Sequence, residues 1–243
     1  MPDFQLIGHR GARGEVPENT IAGFHYARRL GLDAVELDVH MSRDNVPMVI
    51  HDATVDRTTT SSGPVADYTA RELAEMDARA AFPDWPEKVG IPTLDQALDA
   101  LGDIAFIQIE IKKDTEERMQ AALEAVLDIV KQRRLSPRVT ISSFEQAVVQ
   151  EVARLAPEQS RAYIGDFDDP RYLQTALELG CNQVDMSLER TSKEMVDRAH
   201  REGLRVVGFQ CNSVDTLRRA LEWGIDGATS DVPSSILPHL TRT

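Results

Sequence analysis

Short apolar runs alternate with longer amphipathic stretches along most of the chain. The predicted strands are FQLIGH, AVELDVH, IAFIQIEIK, RVTISS, SRAYIG, NQVDMS, RVVGFQC and GATS, with helical spacing of apolar residues between them. Successive strand–helix units imply a parallel sheet. The 243 residues match the roughly 250 of a closed barrel, and no GxGxxG follows the first strand. We therefore predict an α/β fold, a (β/α)₈ TIM barrel, rather than an open doubly wound sheet.

The alternation is interrupted once, after the second strand. SRDNVP predicts a tight turn with Asn45 in the left-handed region, and PMVIH predicts a returning strand that delivers His51. From there to about Pro92 turn-forming residues dominate, and only TARELAEMD has helical spacing. We predict a single barrel domain over residues 1–243, with a small insertion at about residues 52–92.

Charged side chains alternate with apolar ones in the second and third barrel strands. Glu36 and Asp38 lie two residues apart, so they share one strand face. Gln108, Glu110 and Lys112 share a face in the same way. If the apolar sets face the helices, these polar sets point into the barrel. Burying a charged side chain there costs several kcal/mol unless the charge is paired or binds a metal.

Seven polar residues would meet at the carboxyl ends of the first three barrel strands, where such barrels carry their chemistry. They are His9, Arg10, Glu36, Asp38, His51, Glu110 and Lys112. Taken separately, the two strand sets could be a solvent face and a surface ion pair, and His51 could be a turn histidine bonded to Asp52. Their common placement favours a functional site.

The charges of this predicted cluster do not balance. Glu36, Asp38 and Glu110 outnumber the cations of Arg10 and Lys112, so one divalent cation, Mg²⁺ or Ca²⁺, is expected on the carboxylates. The cation and the two basic side chains would leave a positive pocket suited to a phosphate group. Two histidines beside the phosphorus could act as general acid and general base near neutral pH. The pattern predicts metal-assisted phosphodiester cleavage.

The net charge limits the kinds of partner that the protein is expected to bind. At −13, it disfavours nucleic acid and anionic membrane surfaces as partners.

The cysteines and the apolar runs bear on the location of the protein. Cys181 and Cys211 lack metal-type or redox-type spacing and are expected to be free thiols, as in a reducing cytoplasm. No signal peptide and no apolar run near the ~20 residues of a membrane span are visible. We expect a cytoplasmic protein with a small-molecule partner, no nucleic acid and no stable membrane insertion; a homo-oligomer stays open.

Six segments between residue 8 and about residue 233 match a known family in order. They are HRGARGEVPENT, ELDVHMSRDNVPMVIHDATVDRTTT, IPTLDQAL, IEIK, ISSF and GIDGATSDVP. The chain thus resembles the glycerophosphodiester phosphodiesterases, which are (β/α)₈ barrels with an insertion after the second strand. The resemblance implies that His9 and His51 are the acid–base pair. It also implies that the metal ligands are Glu36, Asp38 and Glu110, and that the phosphate contacts are Arg10 and Lys112. Glu18 and Asn19 match a recurrent family pair; they could cap the first helix or contact substrate.

One segment departs from the family. Where a Trp-Thr-Val-Asn run often follows the seventh strand, this chain has Phe209, Gln210, Cys211 and Asn212. We predict that Phe209 forms a wall of the alcohol-side pocket. Strand alternation would place Cys211 on the same side as Phe209 and turn Gln210 towards the helices. A contact between Gln210 and the substrate stays open as the alternative.

The expected activity is metal-dependent hydrolysis of glycerophosphodiesters, such as glycerophosphocholine and glycerophosphoethanolamine, to glycerol 3-phosphate and an alcohol. One alternative is a lysophospholipase D-like enzyme or other phospholipase acting on lysophospholipids, docked through Phe82 and Trp85. Another alternative is a barrel that binds phosphodiesters without cleaving them.

Overall fold

Eight parallel strands close into a barrel in the computed structural model, which describes residues 4–165 and 169–240. The barrel strands are β1 Gln5–His9, β2 Ala34–Met41, β4 Phe106–Ile111, β5 Val139–Ser143, β6 Ser160–Ile164, β7 Gln183–Ser187, β8 Arg205–Phe209 and β9 Gly227–Ser230. Closure comes from β1, which pairs with both β2 and β9. A short strand, β3 Pro47–Val49, pairs antiparallel with the end of β2. The predicted (β/α)₈ TIM barrel is confirmed.

Helices connect the strands on the outside of the barrel. They are α1 Ile21–Arg29, α2 Ala70–Glu75, α3 Leu94–Leu101, α4 Glu116–Gln132, α5 Gln146–Leu155, α6 Tyr172–Glu178, α7 Lys193–Arg201, α8 Val214–Trp223 and α9 Pro233–Leu240. Single 3₁₀ turns occur at Val65–Asp67 and Ser136–Arg138. None of the helices in the described part of the chain combines the length and apolarity that a membrane span requires.

The two faces of the barrel strands have different roles, as the alternation predicted. Leu37 and Ile109 belong to the large apolar core shared with the helices, whereas Asp38 and Glu110 are buried on the opposite strand face. Inside the barrel, Ile7, Ala34 and Val207 form a separate small apolar cluster against Phe106. Since Ala34 and Phe106 begin their strands, this cluster lies at the amino-terminal end of the barrel, where Arg205 also donates hydrogen bonds to Gln5 and Gln183. Asp38 and Glu110 lie closer to the carboxyl ends of β2 and β4.

The chain between β3 and α3 has an apolar core of its own. This core consists of Met48, Ile50, Val55, Val65, Leu73, Met76, Ala78 and Ile91. The turn before β3 has Asn45 at φ 59°, the left-handed conformation predicted for it. Helix α2 begins at Thr69, which forms a capping box with Glu72. The assignment of residues 52–92 as an insertion into one domain stays a prediction.

The start of α1 decides between the two alternatives left open for Asn19. Thr20, not Asn19, caps the helix, since its hydroxyl accepts a hydrogen bond from the Gly23 amide. Asn19 has a positive φ of 55°, and its side-chain amide donates to Asp38 Oδ2 over 2.9 Å. Glu18 likewise points away from the helix. The family pair therefore lies in the site rather than capping α1.

Candidate active site

Among the described residues, one group of buried acidic side chains has the spacing of a metal site. Glu36, Asp38 and Glu110 each offer a carboxylate oxygen, and these oxygens lie within 4.8 Å of one another. Parallel pairing of β2 and β4 sets Asp38 beside Glu110, and pairing of β1 and β2 sets His9 beside Glu36. The barrel register thus brings together residues that are far apart in the sequence.

The carboxylates of this acidic cluster oppose one another's ionisation. Burial, together with the charges of Asp38 and Glu110, raises the pKa of Glu36 well above its usual value. Burial and the Asp38 charge raise the pKa of Glu110 to about 7. Although burial works against it, the charges of Arg10 and Lys112 hold the pKa of Asp38 well below its ordinary range. A divalent cation would remove this conflict by allowing all three groups to ionise.

The donor set fits a hard cation. Every candidate ligand is a carboxylate oxygen, the type that Mg²⁺ and Ca²⁺ prefer. Asp38 Oδ1 is buried and accepts no hydrogen bond from the described residues, although Lys112 Nζ lies 3.4 Å away. A buried carboxylate oxygen without a hydrogen bond is costly, and metal coordination would satisfy it.

Two basic side chains border the acidic cluster. The Arg10 amide donates to Glu36 Oε2 over 3.1 Å, and its guanidinium Nε lies 3.2 Å from Asp38 Oδ2. Lys112 Nζ donates to Glu110 Oε1 over 2.6 Å. Arg10 adopts a positive φ of 51°, which turns the chain as it leaves β1. Both cations therefore lie next to the carboxylates, and both also line the cleft in which an anion could contact them.

His9 is held by a carboxylate from the last barrel strand's loop. Its Nδ1 donates to Asp231 Oδ1 over 2.5 Å, while its Nε2 lies 3.8 Å from Glu36 Oε2. Arg13 Nε and the Asn212 amide donate to Asp231 over 2.8 and 2.9 Å. Because a carboxylate can only accept, this arrangement puts the proton on Nδ1 and leaves Nε2 directed at the cluster. Burial lowers the pKa of His9 despite the Asp231 bond.

His51 has the same arrangement with a different partner. Its Nδ1 donates to Asp52 Oδ1 over 2.6 Å, and burial lowers its pKa. Arg57, from the chain after β3, donates to both oxygens of Asp52 and to both oxygens of Glu18 over 2.7 to 3.1 Å. Glu18 also accepts from Arg10 over 3.0 Å. One continuous set of ion pairs therefore joins His51 to Arg10.

Of the residues that orient the two histidines, only Asp52 was expected from the sequence, as a hydrogen-bond partner of His51. Asp231 lies in the GATSD segment at the end of the last barrel strand, so the strand-end rule that selected His9 would also have selected it. Arg57 lies in a turn-rich stretch without periodicity and gave no comparable signal. His40 lies on the same strand face as Glu36 and Asp38. Its Nε2 lies 3.3 Å from the His51 carbonyl oxygen, and His40 does not line the cleft above the acidic cluster.

A cleft of about 170 Å³ opens above the acidic cluster. Its lining comprises His9, Arg10, Glu36, His51, Gln108, Glu110, Lys112, Phe144, Ile164, Asp185, Val207, Phe209, Gln210 and Thr229. A wider surface groove, about 500 Å³, runs past His25 and Asp99 and borders neither the acidic cluster nor its basic residues. The chemistry therefore belongs to the smaller cleft.

The segment that departs from the family corrects one expectation and decides between two alternatives. Phe209 lines the cleft, and so does Gln210, for which both the helix layer and a substrate contact had been left open. Cys211 does not share the side of Phe209; it is fully buried in the core between strands and helices. Strand β8 ends at Phe209, so strand alternation no longer applies to the two residues after it. Cys181 and Cys211 are both free and buried.

Comparison with known proteins agrees with this geometry. The sequence profile of the glycerophosphoryl diester phosphodiesterase family matches residues 9–235. The chain belongs to this family. A glycerophosphodiester phosphodiesterase of Caldanaerobacter subterraneus is 31% identical over 233 residues, 96% of either chain. One of Bacillus subtilis is 31% identical over 246 residues, covering 93% of this chain and 83% of its own.

Solved structures share the barrel. An Oleispira antarctica phosphodiesterase, in complex with the product sn-glycerol-3-phosphate, superposes with a TM-score of 0.89 at 26% identity. The match covers 98% of this chain and 96% of that one. The prediction of a glycerophosphodiester phosphodiesterase is therefore confirmed at the level of the family.

Metal binding should stabilise the folded protein, since the ion relieves repulsion that exists only when the barrel assembles the three carboxylates. We expect the melting temperature to rise when millimolar Mg²⁺ or Ca²⁺ is added to chelator-treated protein; binding at 100 times Kd contributes about 2.7 kcal/mol. Glu110→Gln should weaken the metal affinity measured by calorimetry by about tenfold or more. The exposed Glu189→Gln is the matched control. Identical melting curves with and without metal would argue against the site.

Proposed function

We propose that the protein is a metal-dependent phosphodiesterase that hydrolyses glycerophosphodiesters, such as glycerophosphocholine and glycerophosphoethanolamine, to glycerol 3-phosphate and an alcohol. The observation that carries this proposal is a buried acidic cluster beneath a cleft that is also lined by two basic residues and two histidines with carboxylate partners. Membership of the family and the product bound to the Oleispira antarctica relative support it.

In this proposal, Glu36, Asp38 and Glu110 hold one divalent cation, Mg²⁺ or Ca²⁺. When bound, the cation supplies Lewis-acid polarisation of a phosphoryl oxygen and neutralises developing negative charge. Arg10 and Lys112 bind the phosphate and orient it in the cleft. Their positive charge also attracts the anionic substrate into the cleft.

His9 and His51 exchange protons with the reacting oxygens. Each has its Nδ1 committed to a carboxylate, so proton transfer takes place at Nε2. As the oxygen of an attacking water forms its bond to phosphorus, one histidine accepts at Nε2 the proton that this oxygen loses. The other histidine, protonated on both ring nitrogens beside its carboxylate partner, donates its Nε2 proton to the alcohol oxygen as the bond between that oxygen and phosphorus breaks. Burial lowers the pKa of both rings, which keeps the base unprotonated near neutral pH.

No specific observation favours the alternatives. Phe82 and Trp85 border a shallow surface depression that does not include the cleft residues, so a lysophospholipid docking there would not be placed over the acidic cluster. A binding protein without catalysis would not need two histidines with matched carboxylate partners. The cytoplasmic location and the absence of nucleic acid as a partner stay predictions from composition.

Incubation of the purified protein with glycerophosphocholine and Mg²⁺ or Ca²⁺ tests the function directly. We expect release of glycerol 3-phosphate and choline in equal amounts, loss of activity on chelation, and recovery when metal is restored. Full activity after exhaustive chelation would show that the reaction does not need the metal. Release of phosphocholine and glycerol would show that the enzyme cleaves the phosphoester bond to glycerol and not the bond to choline.

Replacement of either histidine should affect turnover strongly. His9→Ala and His51→Ala are each expected to lower kcat by about 10²–10⁴-fold, the usual contribution of a positioned acid or base. His25→Ala, at an exposed position on α1, is the matched control and should keep full activity. Metal-induced stabilisation should persist in both active-site variants. A near wild-type rate for one of them would exclude that residue as acid or base.

Phe209 should contribute to substrate affinity, because its ring lines the cleft and covers carbon atoms of the substrate. Loss of an apolar wall of this size costs about 1–3 kcal/mol of binding, so Phe209→Ala should raise KM for glycerophosphodiesters roughly tenfold. The small diester bis(p-nitrophenyl) phosphate should be less affected. Equal losses on both substrates would assign Phe209 to packing alone.

A further inference from the structure

Two polar side chains lie in the cleft on the strands opposite the acidic cluster. Asp185 on β7 and Thr229 on β9 both line it and are both buried. Strand β8 lies between them and contributes Val207 and Phe209 to the same lining. This part of the cleft therefore combines hydrogen-bonding groups with an apolar wall. Neither Asp185 nor Thr229 has a role in the chemistry described above.

Asp185 is held rigidly but keeps accepting capacity. Gln108 donates to its Oδ2 over 2.5 Å, and Gln183 donates to its Oδ1 over 2.7 Å. Each carboxylate oxygen has a second lone pair for a further donor. Arg205, on the neighbouring strand, donates to Gln183 and Gln5 over 3.1 and 2.8 Å, in hydrogen bonds that do not involve Asp185. The carboxylate is thus preorganised by amides, an arrangement suited to neutral donors.

Thr229 supplies a second, independent indication of a ligand. Thr229 is 5% exposed, and its Oγ1 is buried and makes no hydrogen bond with any residue in the described ranges 4–165 and 169–240. Buried hydroxyl groups in folded proteins almost always have a partner, because an unpaired one loses its hydration without compensation. A hydroxyl-bearing molecule in the cleft would provide that partner.

We propose that Asp185 and Thr229 form a hydroxyl-binding subsite, which takes a short polyol portion of the substrate and packs its carbon chain against Val207 and Phe209. This proposal rests on the proposed function, and it names the chemistry that the cleft selects. Both the glycerol half and a hydroxylated leaving alcohol have this chemistry. The subsite would favour either over an alkyl or aryl group of the same size, because only a hydroxyl satisfies the buried groups.

Thr229→Val is the sharpest test, since it removes the unpartnered hydroxyl without breaking a protein hydrogen bond and should leave the melting temperature unchanged or higher. We expect KM to rise about 3- to 10-fold for glycerophosphocholine or glycerophosphoglycerol, the loss of one hydrogen bond. The value for bis(p-nitrophenyl) phosphate, which has no hydroxyl, should stay within twofold. Thr229→Ser keeps the hydroxyl and should behave as wild type.

The two natural-type substrates distinguish the source of the hydroxyl. Glycerophosphocholine carries hydroxyls only on its glycerol half, so an effect on both substrates assigns the subsite to that half. An effect on glycerophosphoglycerol alone assigns it to the leaving alcohol. Asp185→Asn, which keeps the size of the side chain, should raise KM in the same pattern. Equal changes on all three substrates, or none on any, would overturn the proposal.

A binding measurement separates this proposal from the activity itself. Calorimetry on metal-loaded wild type should show tighter binding of glycerol 3-phosphate than of inorganic phosphate, and Thr229→Val should reduce that difference about 3- to 10-fold. The comparison does not depend on turnover, so it can support the subsite even if glycerophosphodiester hydrolysis is not found. Equal affinity of wild type for both ligands would exclude the glycerol half as the group bound, and, together with no effect of Thr229→Val on glycerophosphoglycerol, it would refute the subsite.

Discussion

The structure depends on one electrostatic constraint: three carboxylates are buried within 4.8 Å of one another at the carboxyl end of the barrel. Such a group is stable only if positive charge compensates it. Arg10 and Lys112 compensate part of the charge, and their placement holds the pKa of Asp38 low while that of Glu36 stays raised. The remaining imbalance explains why a divalent cation is expected and why an anionic substrate can be bound next to acidic residues.

The barrel provides this arrangement through strand register. Charged residues of β2 and β4 point inward, whereas the odd-numbered residues of the same strands pack against the helices. His9 ends β1, and His51 follows β3. Each is oriented by its own carboxylate, Asp231 or Asp52, through Nδ1, which leaves Nε2 outside that hydrogen bond. The polar wall at Asp185 and Thr229 completes the cleft on the far side.

Local periodicity was sufficient to predict the barrel and the acidic cluster, because the two-residue period of a strand determines which side chains share a face. Glu36, Asp38 and Glu110 follow from that rule alone. The partner of His9 did not, since Asp231 is 222 residues away and meets it only through closure of the barrel between β1 and β9. Arg57 is similar: its contacts with Glu18 cross a stretch that has no regular pattern.

Errors arose where regular structure stops. Cys211 was assigned by extending strand alternation past Phe209, where β8 ends, and the same extension left Gln210 undecided. For Asn19 a helix cap and a contact in the site were both open, and the neighbouring Thr20 has the hydroxyl that reaches the Gly23 amide. That leaves Asn19 free to donate to Asp38. Choices between adjacent residues at the end of an element depend on backbone geometry that periodicity does not describe.

The most direct test of the central claim is the position of a metal ion in a crystal of the protein soaked with Mn²⁺, located by anomalous scattering. Mn²⁺ has the same preference for oxygen ligands as Mg²⁺ and Ca²⁺. The account predicts one strong peak within about 2.6 Å of oxygens from Glu36, Asp38 and Glu110. A peak elsewhere, or none at the acidic cluster at saturating Mn²⁺, would contradict it.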